Sequence, residues 1–344
     1  MVLLKKSRFS FIILILSLLL VSGCSSEPQN GQETNSTSAT LQKIKITQPN
    51  FLEAWLPVYV ANEKGYFAEE GLEIEFVTVM GGHNVRAAVI AGEAQFGHTG
   101  YEQVASTFEQ GKSCKMIMTT TEKHPWSYFV GKDIESIADL KGKNIDGGLE
   151  GSSYRSFARA VVQFGGLDPD KDVQFVNIPR GSEIAALEKG EVHGALGADS
   201  NTVHLLNKNF KQIVNMIDDA DHKAVVGSDT YPLFVIMVSD EYIESNPEQV
   251  QAFTNATVKG MNFIKENDAE TIKETIAPLF THVDKDILGE YIEIISPALS
   301  TDGYVSEEGH TVAIKYAMDV GFIENPVEMK NIVDHTFLDK AHHK

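Results

Sequence analysis

Cysteine is scarce in this sequence of 344 residues, which contains only Cys24 and Cys114. Two cysteines exclude the dense disulfide framework of small secreted domains, and they exclude a cysteine-rich metal or redox centre. Cys24 directly follows an N-terminal apolar segment, so Cys114 is the single thiol left for the folded part. We expect Cys114 in a strand, as a small hydrophobic residue. A chain of this length can build a sizeable core without disulfides.

Positive charge is also scarce. The sequence has 29 Lys and Arg residues against 48 Asp and Glu residues, a formal net charge of −19. This balance excludes nucleic acid as a partner, because nucleic-acid binding needs basic patches. It does not identify a ligand, because net charge bears on solubility rather than on a site.

Long apolar segments are confined to the N-terminus. Lys5, Lys6 and Arg8 precede an apolar run over residues 11–21. That run, at roughly 11 residues, is shorter than the about 20 residues of a membrane-spanning helix. Small residues and then Cys24 follow, and this order describes a secretory signal.

The same segment resembles the lipobox of bacterial lipoproteins, with a plain signal peptide as the alternative. The resemblance implies cleavage before Cys24 and attachment of a diacylglycerol to its thiol. We therefore predict a signal peptide over residues 1–23, and a lipidated cysteine with a flexible tether over residues 24–42. Residues 25–40 are rich in Ser, Thr, Asn and Gln and hold no large apolar residue, as flexible linkers do.

Strand and helix patterns alternate from about Lys43 onward. Residues 43–47 and 72–77 alternate between polar and apolar residues with period two, as strands do. Segments 84–90 and 101–110 are typical of helices. This alternation predicts βαβ units around a largely parallel sheet.

An internal repeat predicts two lobes of similar build. Residues 75–97 and 174–195 share one order: a strand, a Gly-containing turn, an Ala-rich helix, Gly-Glu and a short strand. Ligands of open parallel sheets bind beyond the carboxyl ends of the strands. Two such edges that face each other form a cleft, which can close by hinge motion.

Two hinge crossings are expected, over residues 119–130 and 228–234, where Pro125 and Pro232 favour extended backbone. The chain after the second crossing has helical patterns, which we expect to pack on lobe one. The predicted boundaries are 43–127 with 230–344 for lobe one, and 128–229 for lobe two.

Several segments resemble the nitrate/sulfonate/taurine and thiamine-pyrimidine binding proteins of ATP-driven importers. Trp55 to Ala61, Lys64-Gly65-Tyr66-Phe67 and Glu70-Gly71-Leu72 resemble the opening of that family. The resemblance covers about residues 44–299, including 92–97 and 190–194. It implies an α/β, two-lobe periplasmic-binding-protein fold of type II with a ligand cleft between the lobes. It also implies a partnership with an ABC permease and its ATPase.

Candidate ligand contacts in lobe one lie in loops at strand ends. Phe51 and Trp55 offer a flat apolar wall, or else core packing. Glycine frees backbone N–H groups ahead of a helix, where anions bind well, although a simple helix entry capped by His83 or Asn84 has the same pattern. The candidates from these loops are Gly82, His83 and Asn84, together with Thr99, Gly100 and Tyr101, on which the family pattern places ligand contacts.

In lobe two, Ser152 is a natural N-cap for a helix that starts there. Its neighbours could hold a carboxylate, a sulfonate or a ring carbonyl. Asp199 is a candidate contact, although an aspartate at such a position more often caps the next helix. The further candidates, at strand ends, at the helix start and on the first hinge crossing, are Gly151, Ser153, Tyr154, Asn177, Arg180, His124 and Trp126.

The expected function is capture of a small organic anion in the interlobe cleft, without a cofactor. A pyrimidine or other heterocyclic vitamin precursor is the first alternative, and a metal-binding or sensory surface module is the second. An enzyme is not expected, because the chain lacks the clustered-cysteine motif of pyrimidine-forming relatives and any hydrolase or phosphate-loop motif. We expect a monomer in the cell envelope, anchored through Cys24 in the lipid bilayer and facing the periplasm or the cell exterior.

Overall fold

The strands of this computed structural model, which describes residues 41–343, are short and fall into three sheets. The predicted signal peptide, Cys24 and nearly all of the predicted tether lie outside the described residues. The strands are β1 (Gln42–Gln48), β2 (Leu72–Thr78), β3 (Phe96–Gly100), β4 (Cys114–Thr119), β5 (Ser127–Val130), β6 (Asn144–Asp146), β7 (Gln174–Val176), β8 (Gly194–Gly197), β9 (Lys211–Asn215) and β10 (Phe234–Ser239).

Helices connect these strands and cover the sheets. In chain order they are α1 (Leu56–Glu63), α2 (Tyr66–Glu69), α3 (Gly82–Ile90), α4 (Tyr101–Glu109), α5 (Ser153–Phe164), α6 (Glu183–Glu188), α7 (Asn201–Asn207), α8 (Asp219–Val226), α9 (Asp240–Ser245), α10 (Pro247–Glu266), α11 (Ala269–Ile276), α12 (Lys285–Ile295), α13 (Glu307–Asp319), α14 (Met329–Ile332) and α15 (Thr336–His342). Within residues 41–343, none of these helices combines the length and the apolar character that crossing a membrane requires.

The first sheet has the strand order β2-β1-β3-β10-β4, and the second part of the chain forms the sheets β8-β5-β9 and β6-β7. Strands β1, β2 and β3 are parallel, as are β6 and β7. Strands β10 and β5 run antiparallel to their neighbours. The prediction of a largely parallel arrangement is therefore wrong for these two strands. Each of them directly follows a passage between the sheets, rather than a helix that returns to its own sheet.

The centre of the first sheet is buried on both faces. Along β10, Val235 and Met237 belong to one hydrophobic cluster, while Ile236 and Val238 belong to another. Side chains alternate between the faces of a strand, so a continuous apolar run here means that both faces are covered. Cys114 is buried in β4, as expected from the sequence.

Helices α1 and α10 approach each other unusually closely. A Cβ atom at Gly260 of α10 would lie 2.1 Å from the carbonyl oxygen of Pro57 in α1. Glycine is required there, because no side chain fits between the two backbones. Helix α10 begins at Pro247, since proline fits the first position of a helix, where its missing N–H would have no partner.

The chain passes from the first sheet to the others between β4 and β5, and it returns between α8 and β10. These passages overlap the two predicted hinge crossings. The lobe boundaries at 43–127, 128–229 and 230–344 stay a prediction.

Candidate ligand-binding site

A cavity of about 250 Å³ lies where loops of the first sheet meet loops of the second part of the chain. Its first wall is formed by residues that follow β1 and β2 or end β3. Its second wall comes from the loops after β6 and β7, from the start of α5 and from β8. The cavity therefore lies beyond the carboxyl ends of parallel strands, where α/β folds bind ligands.

Nine of the sequence-predicted site residues line this cavity. Most come from a strand end or from the start of a helix, and Trp126 comes from the first passage between the sheets. They are Gly82, Thr99, Gly100, Trp126, Ser152, Ser153, Tyr154, Asn177 and Arg180.

The aromatic residues predicted as a flat wall pack elsewhere. Trp55 is fully buried against His98 and Phe234, at ring-centroid distances of 4.3 and 5.8 Å. Phe51 stacks on Tyr59 at 5.4 Å. Both therefore stabilise the core behind the cavity instead of lining it.

The remaining predicted residues also lie outside the cavity lining. The Tyr101 hydroxyl is hydrogen-bonded to His310, and His124 is buried against Phe157. Asn84 donates to the carbonyl oxygen of Met80 instead of capping α3. His83 and Gly151 line a neighbouring cavity. Asp199 does not line the first cavity itself but forms an ion pair with Arg180, which does.

Other residues that line the cavity were not predicted from the sequence, although each is next to a predicted loop or strand. Loop positions are hard to assign from sequence, because no periodic pattern marks which side chains point inward. The missed residues include Asn50, Leu52, Met80, Gly148, Leu149, Ile178, Leu196 and Phe234.

Asp146, at the end of β6, organises the second wall. Its carboxylate accepts hydrogen bonds from the backbone N–H groups of Gly148 and Ile178, at 3.1 and 3.2 Å. It also accepts one from the Tyr154 hydroxyl, which in turn accepts from the Leu196 N–H at 3.0 Å. Burial raises the pKa of Asp146, although these hydrogen bonds oppose that effect. One carboxylate thus fixes the loops after β6 and β7 and the ring of Tyr154.

Arg180 is the single cation among the described residues that line the cavity, and its charge is already compensated. Its guanidinium lies 3.3 Å from Asp199 and 3.5 Å from Glu183. Burial works against its charged form, but these carboxylates outweigh that effect and raise the pKa of Arg180. Burial also raises the pKa of Glu183 to about 7, against the influence of Arg180. An anionic ligand would therefore compete with two carboxylates for this guanidinium.

Two donors on the cavity wall lack protein partners. Within residues 41–343, neither Thr99 Oγ1 nor Trp126 Nε1 makes a hydrogen bond, although both atoms are buried. A buried donor without a partner costs free energy, about 1–3 kcal/mol for a neutral group. Both residues belong to the cavity lining, and a polar ligand group that reached these donors would break no existing hydrogen bond.

The two walls touch at the start of α5. Gln103 Nε2 donates to the carbonyl oxygen of Gly151 at 2.9 Å. A Cβ atom at Gly100 would lie 2.3 Å from Ser153 Oγ. Ser152 caps α5 through a 3.2 Å hydrogen bond from the Arg155 N–H, as the sequence predicts.

The alternative of a metal-binding module finds no support in the positions of His83 and His98, two histidines in neighbouring predicted loops. His98 is buried and hydrogen-bonded to Thr120 at 2.9 Å, whereas His83 is exposed. In the part of the chain that the structure describes, no group of three or more His, Cys, Asp or Glu side chains is placed to hold a metal ion.

Strand-end loops that enclose a cavity between two α/β parts define a solute-binding protein with the type II periplasmic-binding-protein fold. A family model described as NMT1/THI5 like matches residues 53–271. That match covers more than half of the sequence, and the chain belongs to the NMT1/THI5-like family.

Relatives of known name include binding proteins and enzymes. The riboflavin-binding protein RibY of Chloroflexus aurantiacus is 28% identical over 268 residues, 72% of this chain and 71% of RibY. The formylaminopyrimidine-binding protein of Halalkalibacterium halodurans is 22% identical over 332 residues, 93% of this chain and 96% of that protein. The pyrimidine phosphate synthase THI13 of Saccharomyces cerevisiae is 22% identical over 231 residues, 64% of this chain and 66% of the synthase.

Solved structures share the fold. A protein from Bordetella bronchiseptica superimposes with a TM-score of 0.77 at 23% identity. The match covers 88% of this chain and 97% of the Bordetella chain. The periplasmic aliphatic sulphonate binding protein SsuA of Escherichia coli superimposes with a TM-score of 0.65 at 15% identity. The match covers 84% of this chain and 91% of SsuA. At these identities the likeness describes the fold alone.

Proposed function

We propose that this protein is the extracytoplasmic solute-binding component of an ABC importer. The observation that carries the proposal is the cavity at the strand ends, with buried Thr99 Oγ1 and Trp126 Nε1 facing no protein partner. A solute of matching size gains hydrogen bonds from these donors and apolar contact from residues such as Phe234. Membership of a family that contains named binding proteins supports this function.

The mechanism is closure of two lobes around the solute. Contacts across the seam, such as Gln103 to Gly151 and Ser200 to Glu53, belong to the closed arrangement. A solute that touches both walls favours that arrangement, because it binds the closed form better than the open one. The permease then distinguishes loaded from empty protein by its shape.

The proposed ligand is a small organic anion. Its charged group lies near Arg180 and the N-terminus of α5, where backbone N–H groups and the helix dipole favour negative charge. The body of the ligand packs between Trp126 and Tyr154 on the lobe-two side. The two carboxylates at Arg180 limit the charge that this site accepts, which favours a singly charged ligand.

A neutral heterocycle is the second candidate, and the pairing of Arg180 favours it. Because the charge of Arg180 is already compensated, it offers an anion little in return for the hydration that the anion loses. An uncharged ring loses less hydration free energy than an anion does when it leaves water. The names of RibY and of the formylaminopyrimidine-binding protein are consistent with a ring as ligand.

Binding without catalysis is part of the proposal. Burial raises the pKa of the Cys114 thiol to about 12, so it holds its proton at neutral pH and is a poor nucleophile. Its strand β4 contributes no residue to the cavity lining. Among the described residues, the cavity lining therefore offers no nucleophilic thiol.

The N-terminal segment supports a lipid anchor through Cys24, which would keep the protein, as a monomer, beside the permease and its ATPase. Replacement of Cys24 by Ser tests the anchor. We expect the Cys24→Ser variant to leave the membrane fraction for the soluble extracytoplasmic fraction. Unchanged membrane association would contradict lipidation at this residue, without bearing on solute binding.

Calorimetric titration of the purified protein tests the ligand class. The panel holds taurine, alkanesulfonates, nitrate, pyrimidines and riboflavin, and the variants are Arg180→Gln, Thr99→Val and the exposed control Lys132→Gln. A sulfonate that binds and is lost in Arg180→Gln supports the organic anion. A pyrimidine or flavin that binds and survives Arg180→Gln supports the heterocycle. If no solute binds, and none is released from freshly purified protein on denaturation, the proposed function is wrong.

A further inference from the structure

A second cavity lies on the other side of the loop that precedes α5. Its volume is about 330 Å³, and among residues 41–343 only Ser152 lines both cavities. The sequence holds five arginines, four of them within residues 41–343. Three of these four, Arg86, Arg155 and Arg159, line this one cavity. That concentration stands out in a chain with a net charge of −19.

The negative charge around this cavity compensates the three arginines only in part. Glu150 is the single carboxylate among the described residues of its lining, and it is 86% exposed and 3.7 Å from Arg155 Nε. Arg155 is largely buried, but solvent around the exposed Glu150 screens this pair, which therefore contributes little. Arg159 has a structural partner, because it forms a bidentate pair with Asp170 at 2.6 and 3.0 Å.

Arg86 is the cation without a counter-charge. Its Nη1 donates to Ser106 Oγ at 3.1 Å, and in the described part of the chain Arg86 forms no salt bridge. Half burial lowers its pKa, yet an arginine side chain stays protonated at any physiological pH. A partly desolvated guanidinium that faces a cavity is a strong binding group for an oxyanion, because its fork of donors matches two oxygens.

Two further groups belong to the lining of the same cavity. Arg155 Nε is a buried donor that finds no hydrogen-bond acceptor within residues 41–343, while Nη2 of the same guanidinium donates to the carbonyl oxygen of Gly148 at 2.9 Å. The cavity also reaches Gly151 and Ser152 at the N-terminus of α5, a helix of 12 residues whose first N–H groups and dipole favour an anion.

We propose that this second cavity binds a small tetrahedral oxyanion, such as sulfate or phosphate, between Arg86 on one side and Arg155 with the start of α5 on the other. This site is distinct from the solute cavity, and the anion can bind there when no solute is present. Gly82 lines the solute cavity and His83 the anion cavity, and Ser152 touches both, so the two sites share their walls.

The position of the anion couples it to closure. Arg86 lies on α3, which packs on β3 of the first sheet, whereas Arg155 lies on α5 beside the second-wall residue Tyr154. An anion held by both binds best when the two walls are together. By linkage, it must then raise solute affinity by the same factor by which the solute raises anion affinity. This coupling rests on the proposed function, whereas the anion site itself does not.

The anion site is tested by direct titration of the purified protein with sodium sulfate, sodium phosphate and glycerol 3-phosphate, at an ionic strength held constant with chloride. Glycerol 3-phosphate reports on organic phosphates such as lipid headgroups, and the two inorganic ions report on free oxyanions. We expect saturable binding that weakens at least about tenfold, or about 1.4 kcal/mol, in Arg86→Gln and in Arg155→Gln. Arg86→Lys should recover part of the affinity, and the exposed control Lys132→Gln should bind like the wild type.

Folding is checked for each variant by circular dichroism and by the melting temperature in chloride alone, and Arg155→Gln keeps the test decisive if Arg86→Gln unfolds. Sulfate stabilises proteins in general, because it is excluded from their surfaces. A stabilisation of equal size in all variants is that general effect, and it would overturn the proposal, as would the absence of saturable binding. A second titration with the solute, in the presence and absence of sulfate, tests the coupling separately.

Discussion

The backbone N–H of Ser200 donates a hydrogen bond of 3.3 Å to the Glu53 carboxyl, although the two residues are 147 positions apart. Glu53 lies in a turn of 3-10 helix just before α1, and Ser200 lies at the start of α7. Burial raises the pKa of Glu53 to about 8, and the neighbouring Asp199 carboxylate adds to that effect. A carboxyl that holds its proton therefore joins the two walls behind the solute cavity.

The pKa of Glu53 predicts a specific dependence of stability on pH. In the unfolded chain Glu53 loses its proton near its ordinary pKa of 4.5, whereas the folded protein keeps it until about pH 8. The folded state thus binds more protons between these values, and the corresponding stability is present below pH 4.5 and lost as the pH rises to 8. We expect the melting temperature of the wild type to fall more steeply from pH 5 to 8 than that of Glu53→Gln, which cannot ionise.

Other buried groups also titrate, so the comparison must be between wild type and variant. Burial raises the pKa values of Glu183 and Glu102 and lowers those of His98 and His124. These contributions are common to both proteins and cancel in the difference. Two parallel melting-temperature curves would contradict an elevated pKa at Glu53.

The contribution of the Thr99 hydroxyl to solute affinity can be measured by itself. Thr99→Val keeps the shape of the side chain and removes a buried hydroxyl that has no partner within residues 41–343. Replacing such a group by a methyl leaves stability unchanged or raises it slightly. If the hydroxyl binds solute, affinity should fall about 5- to 30-fold, because about 1–2 kcal/mol is lost with the hydrogen bond.

Thr119→Val is the matched control. Its hydroxyl donates to the carbonyl oxygens of Thr121 and Phe234, at 2.7 and 2.9 Å. We expect this variant to lose about 1–2 kcal/mol of stability while its solute affinity stays close to that of the wild type. Chemical denaturation and calorimetric titration give both quantities. Unchanged solute affinity in Thr99→Val would exclude its hydroxyl from the ligand contacts.

The sequence predicts the elements of this fold better than it predicts which side chains face the cavity. The alternation at residues 43–47 corresponds to β1, and Ser152 is recognisable as a helix cap because local chemistry alone decides it. Trp55 shows the limit of such reasoning. Its position in a strand-end loop is readable from the sequence, but its burial against His98 depends on where β3 lies.

Asp146 is the opposite case, because it organises the cavity wall but was not predicted from the sequence. Nothing in the local sequence marks it, since an acidic residue before two glycines is typical of an ordinary turn. Its role arises because β6 and β7 pair, which brings the Ile178 N–H and the Tyr154 hydroxyl to one carboxylate. Such groups become visible only when strands far apart in the sequence are neighbours in space.

This network makes Asp146 a positioning residue for the second wall. In Asp146→Ala the N–H groups of Gly148 and Ile178 and the Tyr154 hydroxyl lose their acceptor. We expect a loss of roughly 2–3 kcal/mol in the free energy of unfolding, together with weaker solute binding because the wall moves. Asp146→Asn keeps one acceptor oxygen and should lose less of both.

The control for Asp146 is Glu93→Gln, which removes an exposed negative charge from the turn before β3. Denaturant unfolding measures stability, and titration with the solute that binds in the calorimetric panel measures affinity. If Asp146→Ala binds solute as tightly as the wild type does, the hydrogen bonds of Asp146 do not position the wall.

Closure itself is testable at Gly100 and Ser153, where the walls come closest. Gly100 precedes α4 with a φ of −76°, a backbone conformation open to any residue, so its substitution by Ala causes no backbone strain. The added Cβ would instead lie 2.3 Å from Ser153 Oγ, and 2.9 and 3.0 Å from the carboxyl oxygens of the buried Glu102. Contact with Ser153 should hold the walls apart, whereas contact with Glu102, which is on the same wall as Gly100, should lower stability. We expect solute affinity to fall at least about tenfold, together with a lower melting temperature of the empty protein.

A double-mutant cycle isolates this contact, because Ser153 also lines the cavity and its own substitution affects binding. In a Ser153→Ala background the obstructing oxygen is absent, and Gly100→Ala should then reduce affinity much less than it does in the wild type. The four affinities are measured by calorimetry with one solute. An equal loss in both backgrounds would mean that the added methyl group acts on the solute directly, and that approach of α5 to Gly100 does not limit closure.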